Sequence, residues 1–177
     1  ERDSAMHLAV RKGNMESFQV LMEKNARIEL ENNLVQNVLH TAVSSTTSNP
    51  EIVEKLVEKM KQTCSPFLNS QDIDGNTALH LAGKYSKADL VQLLSDLDPE
   101  IENQDGETPL HVAVRYGTIR EVEAILETFY SSKRTNIDHK DELGRSALFT
   151  SAENGDVEMF ELLLSHGANM TLRNNVG

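Results

Sequence analysis

A twelve-residue motif that recurs with a nearly fixed period constrains this chain more than any other feature. Residues 106–117 have the sequence GETPLHVAVRYG, which predicts a tight turn, a short helix and a helix stop. Thr108 suits the N-cap, because its hydroxyl can accept a free backbone N–H of the first turn, and Pro109 suits the first helical position, where a missing N–H costs nothing. Gly117 suits the left-handed residue that ends such a helix. Equivalent residues begin four further copies, at Ser4, Asn37, Thr77 and Ser146.

The spacing of these copies identifies the kind of repeat. Successive starts are 33, 40, 31 and 38 residues apart, and each copy is followed by a segment with Leu, Ile or Val at three- and four-residue spacing. A turn and two helices with a period near 33 residues, carrying T-P-L-H-x-A, is the ankyrin signature. The chain therefore resembles the ankyrin-repeat family from end to end. The resemblance implies an all-α solenoid of five helix-turn-helix repeats with hairpin finger loops.

We expect one array, with repeats at approximately 1–30, 31–70, 71–102, 103–139 and 140–173 and the start of a sixth repeat at 174–177. The second repeat is lengthened within 44–49 and again within 61–66, and the fourth within 129–134. Ser86 stands where the third repeat would have its stop glycine. Because the periodic pattern is cut at both ends, we interpret the chain as a fragment of a longer array. Ala9, Ala42, Ala82, Ala113, Leu79 and Leu110 are predicted to be buried between repeats.

Composition narrows the range of functions. The net charge of −11 argues against nucleic acid as a partner, because phosphates would repel the chain. No apolar run is long enough to span a bilayer, so direct membrane insertion is not expected. The single cysteine excludes a disulfide framework within the chain and fits a cytosolic location. No catalytic motif or phosphate-binding loop is present, so we predict a non-catalytic protein without cofactor or metal.

Four histidines share one position of the repeat: His7, His40, His80 and His111. Side chains at one repeat position are stacked along a solenoid, whereas metal ligands must converge on one point. We therefore predict that each imidazole bridges backbone groups of neighbouring turns, which would fix its tautomer. Phe149 at the fifth position supports this structural role, because a metal ligand could not be replaced by phenylalanine.

The end of each inner helix provides one candidate binding surface, because these positions face the concave groove of an ankyrin array. The candidates in this groove are Arg11, Lys12, Lys84, Tyr85, Arg115, Tyr116, Glu153 and Asn154, with Ser44 and Ser45 at the equivalent position of the second repeat. Lys84 with Tyr85 and Arg115 with Tyr116 predict a patch of two cations and two aromatic rings on adjacent repeats. Such a patch would suit a negatively charged segment, either of a partner protein or of another part of the full-length chain. The alternative is an ordinary exposed surface.

The finger loops provide a second candidate surface, consisting of Ile73, Asp74, Asn76, Gln104, Asp105, Glu107, Glu142, Leu143 and Arg145. Cys64 is a candidate reactive thiol, because Lys59 and Lys61 lie nearby and positive charge lowers a thiol pKa. The simpler interpretation of Cys64 is an inert, partly buried thiol.

The order of irregular repeats suggests a subfamily. A long repeat opens with NVLH at 37–40, an Asp-x-x-Gly turn follows at 72–75, and the motif at 107–117 precedes a stretched repeat. This order resembles the cytosolic ankyrin array of TRPA-type cation channels, which implies a homotetramer, ion transport and the cytosolic part of a plasma-membrane protein.

Two alternatives remain open. Asp3 and Ser4, the segment at 33–43 and PEI at 50–52 resemble the first repeats of IκB-like inhibitors, which implies binding and retention of Rel-type transcription factors. The third interpretation is an ankyrin scaffold linked to an enzyme elsewhere in the chain.

Overall fold

The protein forms a row of helix-turn-helix pairs in the computed structural model, which describes residues 2–63, 66–130 and 136–175. Ten α-helices occur in the described residues, in five consecutive pairs, and no β-strand is present there. The helices are α1 (Ala5–Arg11), α2 (Met15–Glu23), α3 (Val38–Ser44), α4 (Pro50–Gln62), α5 (Ala78–Lys84), α6 (Ala88–Val91), α7 (Pro109–Tyr116), α8 (Ile119–Ile125), α9 (Ala147–Asn154) and α10 (Val157–Ser165). The predicted all-α solenoid is confirmed.

The inner helices begin at the predicted N-caps. Ser4 has extended backbone, and its hydroxyl accepts the N–H of His7 at 3.3 Å. The Ser4 hydroxyl also lies 2.8 Å from Nδ1 of His7. In α7, Thr108 has the same backbone conformation, and its hydroxyl likewise lies 2.9 Å from Nδ1 of His111. Each cap therefore fixes both the start of a helix and the orientation of the histidine three residues later.

The stop of α7 differs from the prediction. Gly117 has φ −84° and ψ −163°, which is extended backbone and not the left-handed region. Glycine is needed there for space, because a Cβ would lie 2.7 Å from the carbonyl oxygens of both Ala113 and Gly83. Ser86, which follows α5 without a glycine, does take the left-handed conformation with φ +55°.

Small and apolar side chains join the repeats. The inner helices contact one another in order, α1 with α3, α3 with α5, α5 with α7 and α7 with α9. The predicted interior residues are all buried: Ala9, Ala42, Ala82, Ala113, Leu79 and Leu110. The contact of α5 with α7 is especially close, since a Cβ on Gly83 would lie 3.0 Å from the Cβ of Ala113.

The finger loops are linked to one another by backbone hydrogen bonds. One N–H···O bond connects each finger to the next: Ile73 to Leu34 at 2.9 Å, Gln104 to Asp74 at 3.1 Å, Glu142 to Asp105 at 3.2 Å, and Asn175 to Leu143 at 3.0 Å. A single bond per finger continues the series along one edge of the solenoid without forming a regular sheet.

Several local features depart from a regular array. Leu8 and Val20 are each about half exposed, because α1 and α2 are the first pair and no described pair covers their outer face. The outer helix of the third repeat is short and continues as a 3₁₀ turn at Gln92–Leu94. A π-helical turn at Leu126–Tyr130 follows α8. Of the predicted insertions, residues 64–65, including Cys64, and 131–134 lie outside the described residues.

None of the helices in the described part of the chain combines the length and the apolar character that crossing a bilayer would require.

Candidate functional site

The four histidines hold successive repeats together. Each Nδ1 faces the N-cap of its own helix, and each Nε2 faces a carbonyl oxygen of the next finger. The Nε2–oxygen distances are 3.0 Å from His7 to Gln36, 3.1 Å from His40 to Asn76, 2.9 Å from His80 to Glu107 and 3.2 Å from His111 to Arg145. Because a carbonyl can only accept, Nε2 carries the proton and Nδ1 accepts from the cap. The predicted bridging role is confirmed.

Burial makes three of these imidazoles, those of His40, His80 and His111, resist protonation. It lowers the pKa of His80 to about 4 and that of His111 to about 4, with the nearby His139 adding to the effect at His111. It also lowers the pKa of His40. The bridge needs a neutral ring with one acceptor nitrogen, so the environment favours the form that the bridge uses.

The concave side carries a cluster of one lysine and two tyrosines, named here the groove patch: Lys84, Tyr85 and Tyr116. The Nζ of Lys84 lies 5.9 Å from the ring centroid of Tyr85 and 5.7 Å from that of Tyr116, both within cation–π range. The two rings are 45% and 55% exposed, so a large part of each can contact a partner. The structure thus brings together the residues that the groove prediction paired on adjacent repeats.

Arg115 was expected to provide a second cation in this patch, and the structure shows a different role. Its Nη2 lies 2.6 Å from Oε1 of Glu107, which is 2% exposed, and 3.6 Å from Oδ2 of Asp141. The contact with Glu107 is an ion pair without the alignment of a hydrogen bond. Arg115 also lies 6.0 Å from the ring of Tyr116, but its charge is compensated within the protein.

Arg145 extends this ion-pair network into the fifth repeat. Its Nη2 and Nε lie 2.8 Å and 2.9 Å from Oδ2 of Asp141, and its Nη1 lies 3.4 Å from Glu153. Burial alone would raise the pKa of Asp141, but hydrogen bonds from the side chain and backbone of Arg145 outweigh it and lower that pKa. The bond to Asp141 is also the main reason that the pKa of Arg145 is raised. Arg145 and Glu153, predicted as partner contacts, are therefore paired with residues of this chain.

One spacing explains which groove charges are paired. The residue before each N-cap and a residue near the end of the same inner helix are eight positions apart in every repeat: Asp3 and Arg11, Gln36 and Ser44, Asn76 and Lys84, Glu107 and Arg115, Arg145 and Glu153. The first, fourth and fifth of these pairs are ion pairs, at 2.6, 2.6 and 3.4 Å. In the third repeat the partner position holds a neutral asparagine. Within the described residues Lys84 therefore forms no ion pair.

The predicted finger residues divide into buried and exposed groups. Asn76 and Glu107 are buried, so they hold the loops in place and do not face a partner. Gln104 is exposed, but its side chain donates to the carbonyl of Ile73 at 2.7 Å and so joins two fingers. The remaining predicted finger residues are exposed: Ile73, Asp74, Asp105, Glu142 and Leu143.

An apolar cluster at the second and third fingers was missed by sequence reasoning. Val35 has φ +57°, whereas Gly75, Gly106 and Gly144 occupy its position in the other fingers with φ of +70° to +80°. A β-branched residue is strained in this conformation, and such strain is concentrated at functional sites. Val35 and its neighbour Leu34 are partly exposed, as is Ile73 on the next finger. We name Leu34, Val35 and Ile73 the finger ridge. Aligning Val35 with the three glycines would have identified it.

Of the other groove candidates, some contact residues of this chain and one is exposed to solvent. Arg11 is paired with Asp3, and the hydroxyl of Ser45 donates to the carbonyl of Arg11 at 2.6 Å. The side chain of Asn154 lies 3.5 Å from the carbonyl of Val114. Lys12 is exposed. Cys64 lies outside the described residues, so its proposed reactivity stays a prediction.

A solenoid of helix pairs, with finger loops that are hydrogen-bonded to one another and a concave groove, is the architecture of ankyrin-repeat proteins. A sequence model of ankyrin repeats (3 copies) matches residues 39–137 and 79–174, and the chain belongs to the ankyrin-repeat family. Ankyrin arrays of this kind are protein-interaction modules, and this chain is one of them.

Two related proteins and one solved structure are similar to this chain over most of its length. The mouse (Mus musculus) B-cell lymphoma 3 protein homolog is 34% identical over 95% of this chain and 37% of its own length. The human (Homo sapiens) transient receptor potential cation channel subfamily A member 1 is 33% identical over 95% of this chain and 15% of its own length. The crystal structure of the ankyrin repeat domain of Bcl-3, described as a unique member of the IkappaB protein family, matches with a TM-score of 0.83 and 33% identity, covering 100% of this chain and 77% of that one. The chain thus spans about a third of the mouse relative that it matches and less of the channel.

Proposed function

We propose that this chain is an IκB-like ankyrin module that binds Rel-type transcription factors. The observation that carries the proposal is the match to the Bcl-3 ankyrin domain, with a TM-score of 0.83 over 100% of this chain. The resemblance of residues 3–4, 33–43 and 50–52 to the first repeats of IκB-like inhibitors points the same way. Two surfaces could serve such binding, the groove patch and the finger ridge, because both present exposed rings or apolar side chains on rigid elements.

The channel interpretation, which the sequence favoured, has weaker support. The match to the human channel covers 15% of that protein, whereas the matched Bcl-3 domain is covered over 77% of its length. None of the relatives named above is described as an ankyrin scaffold linked to an enzyme. Cytosolic location stays a prediction.

The test is a calorimetric titration of the purified chain with a purified Rel-type transcription factor dimer. Light scattering then measures the mass of the complex. We expect a discrete complex with a Kd of about 1 μM or tighter, in the range of specific protein complexes. An unrelated ankyrin array of five repeats is the control for nonspecific binding. Absence of binding by the folded chain at about 100-fold higher concentration would contradict the proposal.

A second measurement separates the channel alternative. The chain alone is examined by light scattering across a wide range of concentration. A tetramer that forms without any Rel-type factor would favour the channel, because closed oligomers of identical subunits do not need a partner. A monomer that becomes part of a complex only with the factor favours the IκB-like module.

A further inference from the structure

We infer that the groove patch is a recess for a carboxylate side chain, supplied by an acidic segment of the protein partner that lies along the concave groove. The inference rests on the proposed function for the identity of the partner and deepens it by naming the chemistry that the partner must present. The groove patch consists of Lys84, Tyr85 and Tyr116, as defined above.

The position of Lys84 is the first step. Its Nζ lies 5.9 Å from the ring centroid of Tyr85, the residue after the end of α5, and 5.7 Å from that of Tyr116, the last residue of α7. The rings limit where the lysine can point and hold it on the groove floor, so part of the entropy of ordering a long side chain is lost before a partner arrives. The rings also offer apolar area on both sides of the charge.

The pairing pattern is the second step. Arg11, Arg115 and Arg145 each lie within 4 Å of a carboxylate of this chain, and their charges are compensated. Lys84 occupies the same register as Arg115, but Asn76 stands where Glu107 would be, and the Oδ1 of Asn76 accepts a bond from Asn103 at 3.2 Å. Because the buried Asn76 fills the position equivalent to Glu107, a partner carboxylate would have to approach Lys84 from the open side of the groove and supply the negative charge that Glu107 gives to Arg115. The fourth repeat therefore shows within this protein the contact that the third repeat leaves for a partner.

The surrounding charges fix the orientation of that partner. Lys84 and Tyr116 line a polar cavity of about 250 Å³, and three carboxylates line it as well, those of Asp74, Asp105 and Glu107. Glu107 is buried and paired with Arg115, whereas Asp74 and Asp105 are exposed and repel acid at the finger side of the cavity. The acidic residue must then enter from the helix side, over the tyrosine rings, and a neutral or basic residue of the partner faces the fingers. A uniformly acidic segment would fit less well than one with a single carboxylate at this point.

The experiment measures binding of the Rel-type factor to variants of the whole chain. Lys84→Met keeps the stem and removes the charge, and Lys84→Glu reverses it. The matched control is Lys24→Glu, at an exposed lysine that ends α2 away from the groove. We expect Lys84→Glu to weaken binding about tenfold or more, with Lys84→Met between it and wild type, and the control within about twofold. Tyr116→Ala should weaken binding by a similar factor, while Tyr116→Phe retains it, because the ring face is used.

A direct probe tests the recess without the factor. The ¹⁵N-labelled chain is titrated with the synthetic peptide acetyl-Ala-Ala-Glu-Ala-Ala-amide and with its Gln counterpart, and the Lys84 ammonium and the Tyr85 and Tyr116 rings are followed by NMR. The Glu peptide should shift these signals more than the Gln peptide, and the difference should shrink as salt rises.

The two proposals fail separately. If the wild-type chain binds the factor and Lys84→Glu binds as the Lys24→Glu control does, the recess is wrong and the proposed function stands. If the factor does not bind at all but the Glu peptide selects the groove patch, the proposed function is wrong and the recess stands. Equal shifts with both peptides would overturn the recess.

Discussion

The groove floor between the third and fourth repeats and that between the fourth and fifth differ in chemistry although they share one geometry. In both, an inner helix ends with a cation, and a histidine bridges to the next finger. Between the fourth and fifth repeats, Arg115 is paired with Glu107 and Asp141. Between the third and fourth, Lys84 has two tyrosine rings and no carboxylate partner among the described residues.

This difference shows that an exposed charge in a repeat array is not necessarily available to a partner. Arg115 and Lys84 look equivalent by position, and both are partly exposed. What separates them is the residue eight positions earlier, because Glu107 there pairs with Arg115, whereas Asn76 carries no charge that could pair with Lys84. The chain therefore contains both a stabilised and an open version of the same groove position.

We call the contact between the third and fourth repeats and that between the fourth and fifth repeats the two joints. The largest predicted effect tests whether both joints are built on the same hydrophobic core. Leu79→Ala and Leu110→Ala should each lower the free energy of unfolding by roughly 2–5 kcal/mol, because both side chains are fully buried and truncation leaves a cavity. Urea denaturation measures both, with Val157→Ala on the exposed surface of α10 as the control. If only one of the two variants is destabilised, the joints differ in packing as well as in charge.

Acid should weaken both joints alike. His80 and His111 have pKa values of about 4 in the folded protein, below the ordinary value near 6.5, so the unfolded chain binds more protons in between. Their stabilisation is complete above about pH 6.5 and is lost as pH falls towards 4, by about 2 kcal/mol per histidine at pH 5.

Urea denaturation at pH 7.5 and pH 5 measures this loss. His80→Phe, which copies the residue at position 149, should remove about half of the difference attributable to these two histidines. The variant has its own destabilisation at both pH values, so the readout is the change between them. An unaltered pH dependence would show that His80 does not titrate as its burial implies.

The third prediction separates the two cations directly. Arg115→Met should lower the free energy of unfolding by about 2–3 kcal/mol, because Glu107 would stay buried without its charge partner. This is less than the roughly 3–5 kcal/mol for a fully buried pair, since the Arg115 side chain is 24% exposed. Lys84→Met should change it by less than about 0.5 kcal/mol. Adding Glu107→Gln to Arg115→Met should restore part of the loss. Equal effects of the two single variants would remove the distinction between the joints.

The smallest predicted effect concerns the finger ridge. Val35→Gly should raise the free energy of unfolding by about 0.5–1 kcal/mol, because the strain of a left-handed valine exceeds the extra entropy of glycine in the unfolded chain. Gly106→Ala is the matched opposite change, since its φ of +70° and a Cβ 2.7 Å from the backbone nitrogen of Glu142 both disfavour a side chain. A loss of stability in Val35→Gly would mean that packing of the valine outweighs its strain.

The fold could be predicted because its main residues recur at fixed positions of the repeat. The candidate site could be predicted only in part, because its contacts differ from one repeat to the next. The buried alanines and the bridging histidines recur at fixed positions, so one copy of the motif explains all of them. The pairing of Arg115 with Asp141 joins residues of different repeats and depends on how the repeats stack, which no single copy shows. Gly117 was assigned the wrong conformation because the sequence shows that a glycine is needed but not whether backbone angle or space requires it.

The hydrogen bonds between successive fingers also give the protein a mechanical character. One backbone hydrogen bond connects each finger to the next, beside the histidine bridge and the packing of the inner helices, so a bend of the array is shared among all of these contacts. In a chain of equal springs the total extension is divided among all the links, and each link moves only slightly. An ankyrin array built in this way can adjust its curvature to a long ligand while every repeat keeps its own internal structure.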